Sequence, residues 1–222
     1  MGKLIVFEGT DGSGKSTQFE LLAKRLEAEQ IGFQRLRFPQ YEEPSSALIR
    51  MYLGGAFGDD PEAVNAYAAS TFYAVDRYAS YQRVWKDYYQ GGGFVVSDRY
   101  TTSNAVHQGS KVPEAERAEF FHWLYDLEYD RMGLPRPDLV VLLDMPVELS
   151  EQLMRKREQS TGTHADIHER DEDYLKKCRD VALHAAKYYG WRTVSCAKDG
   201  AIRGVEDIHE EVYAIVKSCL ED

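Results

Sequence analysis

Three glycines, a lysine and four hydroxyls fall within nine residues in the stretch GTDGSGKST, residues 9–17, directly after the apolar run LIVFE. The spacing is G-x-x-x-x-G-K-[ST], here Gly9, Gly14, Lys15 and Ser16. In such a loop the glycines let successive backbone N–H groups curl around an anion. The lysine reaches the terminal phosphates of a nucleotide, and the hydroxyl holds magnesium. The loop residues Thr10, Asp11, Gly12, Ser13 and Thr17 then lie around the same phosphates. The flanks agree with that chemistry: Leu4 to Phe7 read as a short buried strand, and Phe19, Leu22, Ala23 and Leu26 recur at helical spacing. A helix N-terminus attracts anions through its unpaired N–H groups and its dipole.

A phosphate loop alone does not say what is done with the nucleotide. No NKxD-like base reader of the kind found in GTPases is present. Asp144, after the apolar run LVVLL, is a poor match to a water-activating acid because Met145 and Pro146 follow it. Hydrolysis is therefore not the natural outcome. The segment VVSDRYTTSNAVHQG, residues 95–109, instead places Arg99 at the end of a buried strand, where a guanidinium can hold an oxyanion bidentately. Asp98 beside it can orient that arginine or a magnesium-bound water. Tyr73 and Arg77 are four apart on a predicted helix that also carries Phe72 and Tyr81, so they share one face. A ring beside a guanidinium can stack on a base while the guanidinium donates to a base carbonyl. The other tyrosines of this helix are expected in the core.

The elements that must position these groups follow from the hydrophobic pattern. Strand-like runs recur at Leu4 to Phe7, Phe33 to Phe38, Phe94 to Ser97, Leu139 to Leu143 and Thr193 to Cys196, with helical segments between them. This alternation predicts an α/β fold: a five-stranded parallel sheet flanked by helices on both faces. Ligands are expected at the carboxyl ends of the strands, where the glycine loop, FPQY, DRY and DMP segments fall, so that one cleft collects them. The expected organisation is a single domain over residues 1–222 with a lid at about 155–170. The lid begins at the basic triplet Arg155, Lys156 and Arg157 and continues into the polar EQSTGTHAD, residues 158–166.

Bulk composition narrows the partners. With 27 basic and 37 acidic residues the formal net charge is −10, which disfavours a nucleic acid polymer. No apolar stretch reaches the length of a membrane span and no leader is visible, so a cytoplasmic protein is expected. Cys178, Cys196 and Cys219 have neither disulfide-framework nor metal spacing and read as reduced core thiols. His164 and His168 sit four apart beside Asp166 and Glu169, but the order is not HExxH. The aromatic run FFHWLYDLEY reads as a helix, with His122 in the core or at an interface.

Taken together, FEGTDGSGKST, FP at Phe38 and Pro39, DRY at 98–100, the trailing SNAVHQG, PDLVVLLDMP and the R-x-R before the lid resemble the thymidylate kinase family over nearly the whole chain. The resemblance implies phosphoryl transfer from ATP to dTMP, giving dTDP and ADP for dTTP synthesis, with Mg2+ as cofactor. It implies that Lys15 and Ser16 hold donor phosphates and magnesium, and that Asp11 lies near the acceptor's sugar and phosphate. Phe38, Pro39 and Tyr73 would flank or stack on thymine, and Arg77 would donate to a thymine carbonyl. Arg99 would hold the acceptor phosphate, with Ser103, Asn104, His107 and Gln108 beside the nucleotide. Asp98 would serve magnesium through water.

Two departures stand out. Family members often carry tyrosine at the position of His107, which is associated with recognising deoxyribose. Some relatives carry an arginine inside the phosphate loop, where this chain has Gly12 and Ser13. Arg155 and Arg157 are then the expected stabilisers of the transferred group, anchored by Asp166 and Glu169. A homodimer is implied as well. A phosphate monoester has its second pKa near 6, so the acceptor is already anionic and no general base is required. Catalysis reduces to positioning and charge neutralisation by Lys15, Arg99 and the lid arginines. The readings left open are a kinase for another nucleoside monophosphate or deoxynucleoside, and a nucleotide sensor without catalysis.

Overall fold

The run Leu4 to Phe7 has no solvent-accessible side chain, as expected of a central strand covered on both faces. In the computed structural model, which describes residues 1–58, 60, 62–161 and 172–221 with the side chains of 156–161 and 172 excepted, it lies in β1 (Lys3–Glu8). The remaining elements follow in chain order: α1 (Lys15–Ala28), β2 (Gln34–Arg37), α2 (Ala47–Leu53), α3 (Ala66–Ser80), α4 (Lys86–Gln90), β3 (Phe94–Asp98), α5 (Thr101–His107), α6 (Arg117–Tyr125), β4 (Leu139–Asp144), α7 (Val147–Thr161), α8 (Glu172–Tyr189), β5 (Arg192–Ser195), β6 (Ala197–Lys198), β7 (Ala201–Ile202) and α9 (Val205–Glu221). The five long strands form a parallel sheet in the order β2-β3-β1-β4-β5. β2 pairs with β3 with Arg37 opposite Asp98, and β4 pairs with β5 with Asp144 opposite Ser195. All five expected strands are present. The antiparallel β6–β7 hairpin, turned by Asp199 and Gly200 with positive φ, was not foreseen.

The chain forms two compact units. The first comprises Met1–Val6 and Phe33–Asp138 and holds α2 to α6. Its core is aromatic: Tyr81, Trp85, Tyr89, Tyr100, Phe120, Phe121 and Tyr129 are buried, and Trp85 sits edge-on to Tyr81, Tyr89 and Tyr100. Two π-helical turns, Tyr81–Trp85 and Asp126–Arg131, extend α3 and α6. The second unit comprises Phe7–Gly32 and Leu139–Asp222. There α1 packs on α9, tied by the Gln18 side chain donating to the Val205 carbonyl and by Arg25 paired with Glu210 at 2.7 Å. Val147, Met154 and Leu175 join α7 to α8.

Several expectations need correction. Tyr81 is core, but Tyr67 and Tyr78 on α3 are exposed; the Tyr67 ring nonetheless packs edge-on against Phe120 and Trp123 of α6. His122 is exposed and so is not in the core, because the apolar side of α6 is carried by Phe120, Phe121 and Leu124. Cys178 and Cys196 are buried thiols, whereas Cys219 is half-buried near the end of α9. Burial pushes the Cys196 thiol up to about 12. Residues 158–161, read as the start of the lid loop, continue α7 as helix. His164, Asp166, His168 and Glu169 lie outside the described residues. Among the described residues no helix is long and apolar enough to cross a membrane.

Candidate active site

The phosphate loop belongs to the second unit, between the end of β1 and α1. Gly12 has φ 75° and Gly14, the residue capping α1, has φ 85°. A side chain at either would be strained there. At Gly12 it would also collide, since a Cβ would lie 2.7 Å from the Ser150 carbonyl oxygen and 2.9 Å from Met154 Cγ of α7. The loop is closed by the Ser13 N–H donating to the Thr10 carbonyl at 3.2 Å. Thr10, Ser13 and Lys15 are buried, while Ser16 and Thr17 at the start of α1 are exposed and Asp11 is intermediate. Ser13 Oγ is buried without a partner among the described residues.

Behind the loop, Asp144 does not stand ready to activate water. Arg179 of α8 holds it bidentately, Nε to Oδ1 at 2.7 Å and Nη2 to Oδ2 at 3.1 Å. The same space is lined by Thr10, Met145 and Ala182. Arg155 on α7 is exposed and pairs with Glu151 one turn earlier at 3.3 Å; the side chain of Arg157 lies outside the described residues. In the segment Ala197–Gly200 the hairpin is steadied by Arg203. That guanidinium donates to the Ser195 carbonyl and pairs with Asp207 and Glu211, each at 2.7 Å for the ion pairs.

The acceptor-side residues collect in the first unit, around the carboxyl ends of β2 and β3 and one face of α3. Phe38 is buried, the Phe38–Pro39 peptide is cis, and the Phe38 ring lies 5.9 Å from that of Tyr100. Asp98 is buried and accepts from Arg37 Nε at 3.0 Å, leaving Oδ1 without a partner among the described residues. Arg99 has φ 68°, a left-handed conformation uncommon for a residue with a side chain. Its carbonyl accepts from Ser97 Oγ at 2.6 Å, and its Nη1 lies 2.9 Å from His107 Nε2. Arginine has only donors, so the imidazole nitrogen accepts and the ring is neutral. Ser103 is half-buried, and Gln108 is buried with Oε1 unpartnered among the described residues.

Tyr73 and Arg77 share a face of α3, as their spacing predicts. Burial pushes the Tyr73 phenol well above its usual range, with the charges of Arg99 and Arg77 pulling the other way; the ring stays neutral at any physiological pH. Arg77 is fully buried and bidentate on Glu128, Nε to Oε2 at 2.7 Å and Nη2 to Oε1 at 2.6 Å. Burial opposes its charge, but the carboxylate of Glu128 outweighs this, and Arg77 remains protonated. Its Nη1 donates to the Tyr100 carbonyl at 3.3 Å. Asn104 Nδ2 donates to the Ser70 carbonyl at 3.1 Å and lies 3.5 Å from Glu128 Oε1.

Two functional-looking carboxylates escaped the sequence reading. Glu128 is one, hidden in an acidic-aromatic run where most charges are solvated. The other is Asp76, buried beside Arg77, which accepts from the Gln40 N–H at 2.8 Å and Ser45 Oγ at 2.6 Å and so ties the loop after Pro39 to α3. The Asp-Arg neighbours at 76 and 77 were the available signal for it.

A family model described as thymidylate kinase matches residues 7–212. The thymidylate kinase of Mycobacterium tuberculosis is 33% identical over 199 residues, covering 88% of this chain and 92% of the relative. The probable thymidylate kinase of Thermococcus gammatolerans is 31% identical over 221 residues, covering 98% and 97%. Among solved structures, that of the thymidylate kinase from Candida albicans superposes with a TM-score of 0.71 over 98% of this chain and 92% of that one, at 22% identity, a likeness that speaks to the fold alone. The phosphate loop and the α3 face around Arg77 thus sit within a chain aligned almost end to end with these relatives, and the chain belongs to the thymidylate kinase family.

Proposed function

We propose that the chain transfers the terminal phosphoryl group of ATP to dTMP, giving dTDP and ADP, in the supply of dTTP. The observation that carries the acceptor assignment is Arg77, a fully buried guanidinium held rigidly beside Tyr73 on one face of α3. A base stacked on that ring meets a donor, which suits a carbonyl-bearing base. Family membership supports the same reading and does not favour a kinase for another monophosphate, a deoxynucleoside kinase or a sensor.

In this reading Gly9 to Thr17 wrap the donor phosphates, with Lys15 neutralising them. Arg99 holds the acceptor phosphate, and Asp11 lies near the acceptor's sugar and phosphate. Phe38 and Pro39 flank the base, with Ser103, Asn104, His107 and Gln108 around the nucleotide. Arg155 and Arg157, at the base of a lid, neutralise the transferred group. Magnesium requires hard oxygen donors. The exposed Ser16 hydroxyl and the orphaned Asp98 Oδ1 are of that kind, and when bound the ion would neutralise phosphate charge. No side chain needs to remove a proton from the acceptor, because its phosphate is already ionised at neutral pH. What the residues supply is alignment and charge.

A cytoplasmic homodimer completes the proposal. Leu48 and Met51 on α2, and Val75 and Tyr78 on α3, are large apolar side chains left exposed at helical spacings of three on two helices that pack together. Such a paired stripe suits a self-complementary interface. The reaction is tested by measuring ADP release from ATP and Mg2+ over a panel of monophosphates. We expect dTMP to lead, and Arg77→Ala to lower its kcat/KM tenfold or more, the worth of about 1.5 to 3 kcal/mol for a hydrogen bond from a charged donor. Preference for CMP or AMP would overturn the assignment.

A further inference from the structure

We propose that Glu128 sets which base the acceptor site accepts, by fixing Arg77 as a donor and Asn104 as an acceptor toward it. The inference deepens the reading above and rests on an acceptor nucleotide lying beside Tyr73, Arg77 and Asn104. Glu128 sits within the π-helical turn that extends α6, with no exposed surface. An ionised carboxylate accepts only. Around it stand four donors: Nε and Nη2 of Arg77 at 2.7 and 2.6 Å, Oγ1 of Thr101 at 2.8 Å and Nδ2 of Asn104 at 3.5 Å.

Two consequences follow from which atoms carry protons. The Asn104 amide faces a carboxylate on one side and the Ser70 carbonyl, 3.1 Å away, on the other. Both are acceptors, so the nitrogen must point at them and Oδ1 must turn away; the flipped amide would set oxygen against oxygen. Arg77 uses three of its five N–H groups on Glu128 and the Tyr100 carbonyl, which leaves two, one on each terminal nitrogen. The pair therefore offers a base one donor and one acceptor in a fixed sense. Thymine and uracil match it, with O4 accepting and N3–H donating. Cytosine reverses it, with an exocyclic amine donating and N3 accepting. Guanine shares the sense of thymine, so what Glu128 controls is polarity and not ring size.

Stability does not account for the arrangement. Desolvating two charges offsets much of their mutual attraction, and apolar replacements of such pairs are often neutral or better. Orientation is what an acceptor-only group at this point secures. Glu128 touches neither substrate in this scheme; it is a positioning residue acting through Arg77 and Asn104.

The test compares kcat/KM for dTMP, dCMP and N3-methyl-dTMP, with ATP and Mg2+, on the full chain. For the unaltered protein we expect N3-methyl-dTMP to be worse than dTMP by at least about a hundredfold, since a site built around a substrate N–H rejects the analogue lacking it. Glu128→Gln places an amide nitrogen among donors. The dTMP-to-dCMP ratio should fall at least about tenfold, mainly through KM. In an Asn104→Ala background the same change should leave the ratio where Asn104→Ala alone puts it. Glu128→Asp keeps charge opposite Arg77 but draws it back from Asn104, and should fall between the two; it carries the test alone if Glu128→Gln does not fold. Equal use of N3-methyl-dTMP and dTMP, or a folded Glu128 variant that loses both nucleotides in proportion, would overturn the proposal. If the unaltered protein does not phosphorylate dTMP at all, it is the acceptor reading that fails.

Discussion

Arg99 is held from two directions. Its backbone occupies the left-handed region, which costs a residue with a side chain on the order of 1 to 3 kcal/mol. The Ser97 hydroxyl grips its carbonyl, and His107 accepts from its guanidinium. His107 stands where family members often carry a tyrosine associated with recognising deoxyribose, and its imidazole is engaged with the Arg99 guanidinium. Strain of this kind, at the end of a buried strand, fits a group aimed at an anion. Two variants separate aim from strain. Arg99→Ala and Arg99→Gly should both lower kcat/KM for dTMP by at least about a hundredfold, the loss of a bidentate charged contact. In urea denaturation the glycine variant should be the more stable by about 1 kcal/mol, because glycine adopts positive φ without a steric cost. Equal stabilities would mean the backbone relaxes once the side chain is gone.

At the scale of elements, the strands and the phosphate loop were legible because continuous apolar runs and glycine spacing are local signals. Tyr73 and Arg77 were legible for the same reason, as helical periodicity puts them on one face. Glu128 was not. Its burial is decided by Arg77, Thr101 and Asn104, each more than twenty residues away in sequence, and a lone glutamate in DLEYD resembles any solvated charge. The continuation of α7 through Thr161 was missed because threonine and glutamine near a glycine read as loop, although the preceding turns of the same helix are strong helix formers. The β6–β7 hairpin is too short for an alternation pattern to show.

Lys111, which no motif marks, connects three parts of the first unit. Its Nζ donates to Tyr52 Oη of α2 at 2.6 Å and to the Val64 carbonyl just before α3 at 3.1 Å. Burial depresses its pKa to about 8, with Glu62 and Asp60 opposing the shift. A base with a lowered folded pKa binds fewer protons folded than unfolded between that value and its ordinary one, so its contribution to stability grows as pH rises through this window. Lys111→Met, which does not titrate, should lack that gain. The difference in unfolding free energy, wild type minus variant, is expected to increase from pH 7 to pH 10. A difference independent of pH would show that the lysine keeps its ordinary pKa.

On the scale of the whole molecule, the net charge of −10 coexists with buried and half-buried arginines, Arg77, Arg179 and Arg99, each held by a carboxylate or a neutral acceptor. The exposed stripe of Leu48, Met51, Val75 and Tyr78 is the surface on which self-association is proposed. Burying one carboxylate per subunit on such an apolar face, without a partner, is strongly unfavourable. Val75→Glu should therefore shift sedimentation at micromolar concentration from dimer to monomer while leaving the thermal unfolding of the subunit nearly unchanged. A wild-type protein that sediments as a monomer would remove the interface.

The absence of any side chain at residue 12 has a consequence for donor binding. With the Ser150 carbonyl oxygen where a methyl group would have to go, the loop lies directly against α7, and any side chain at residue 12 would push the two apart. In the proposed reaction a methyl group at this position would make the donor spend part of its binding energy on reordering the loop that receives it.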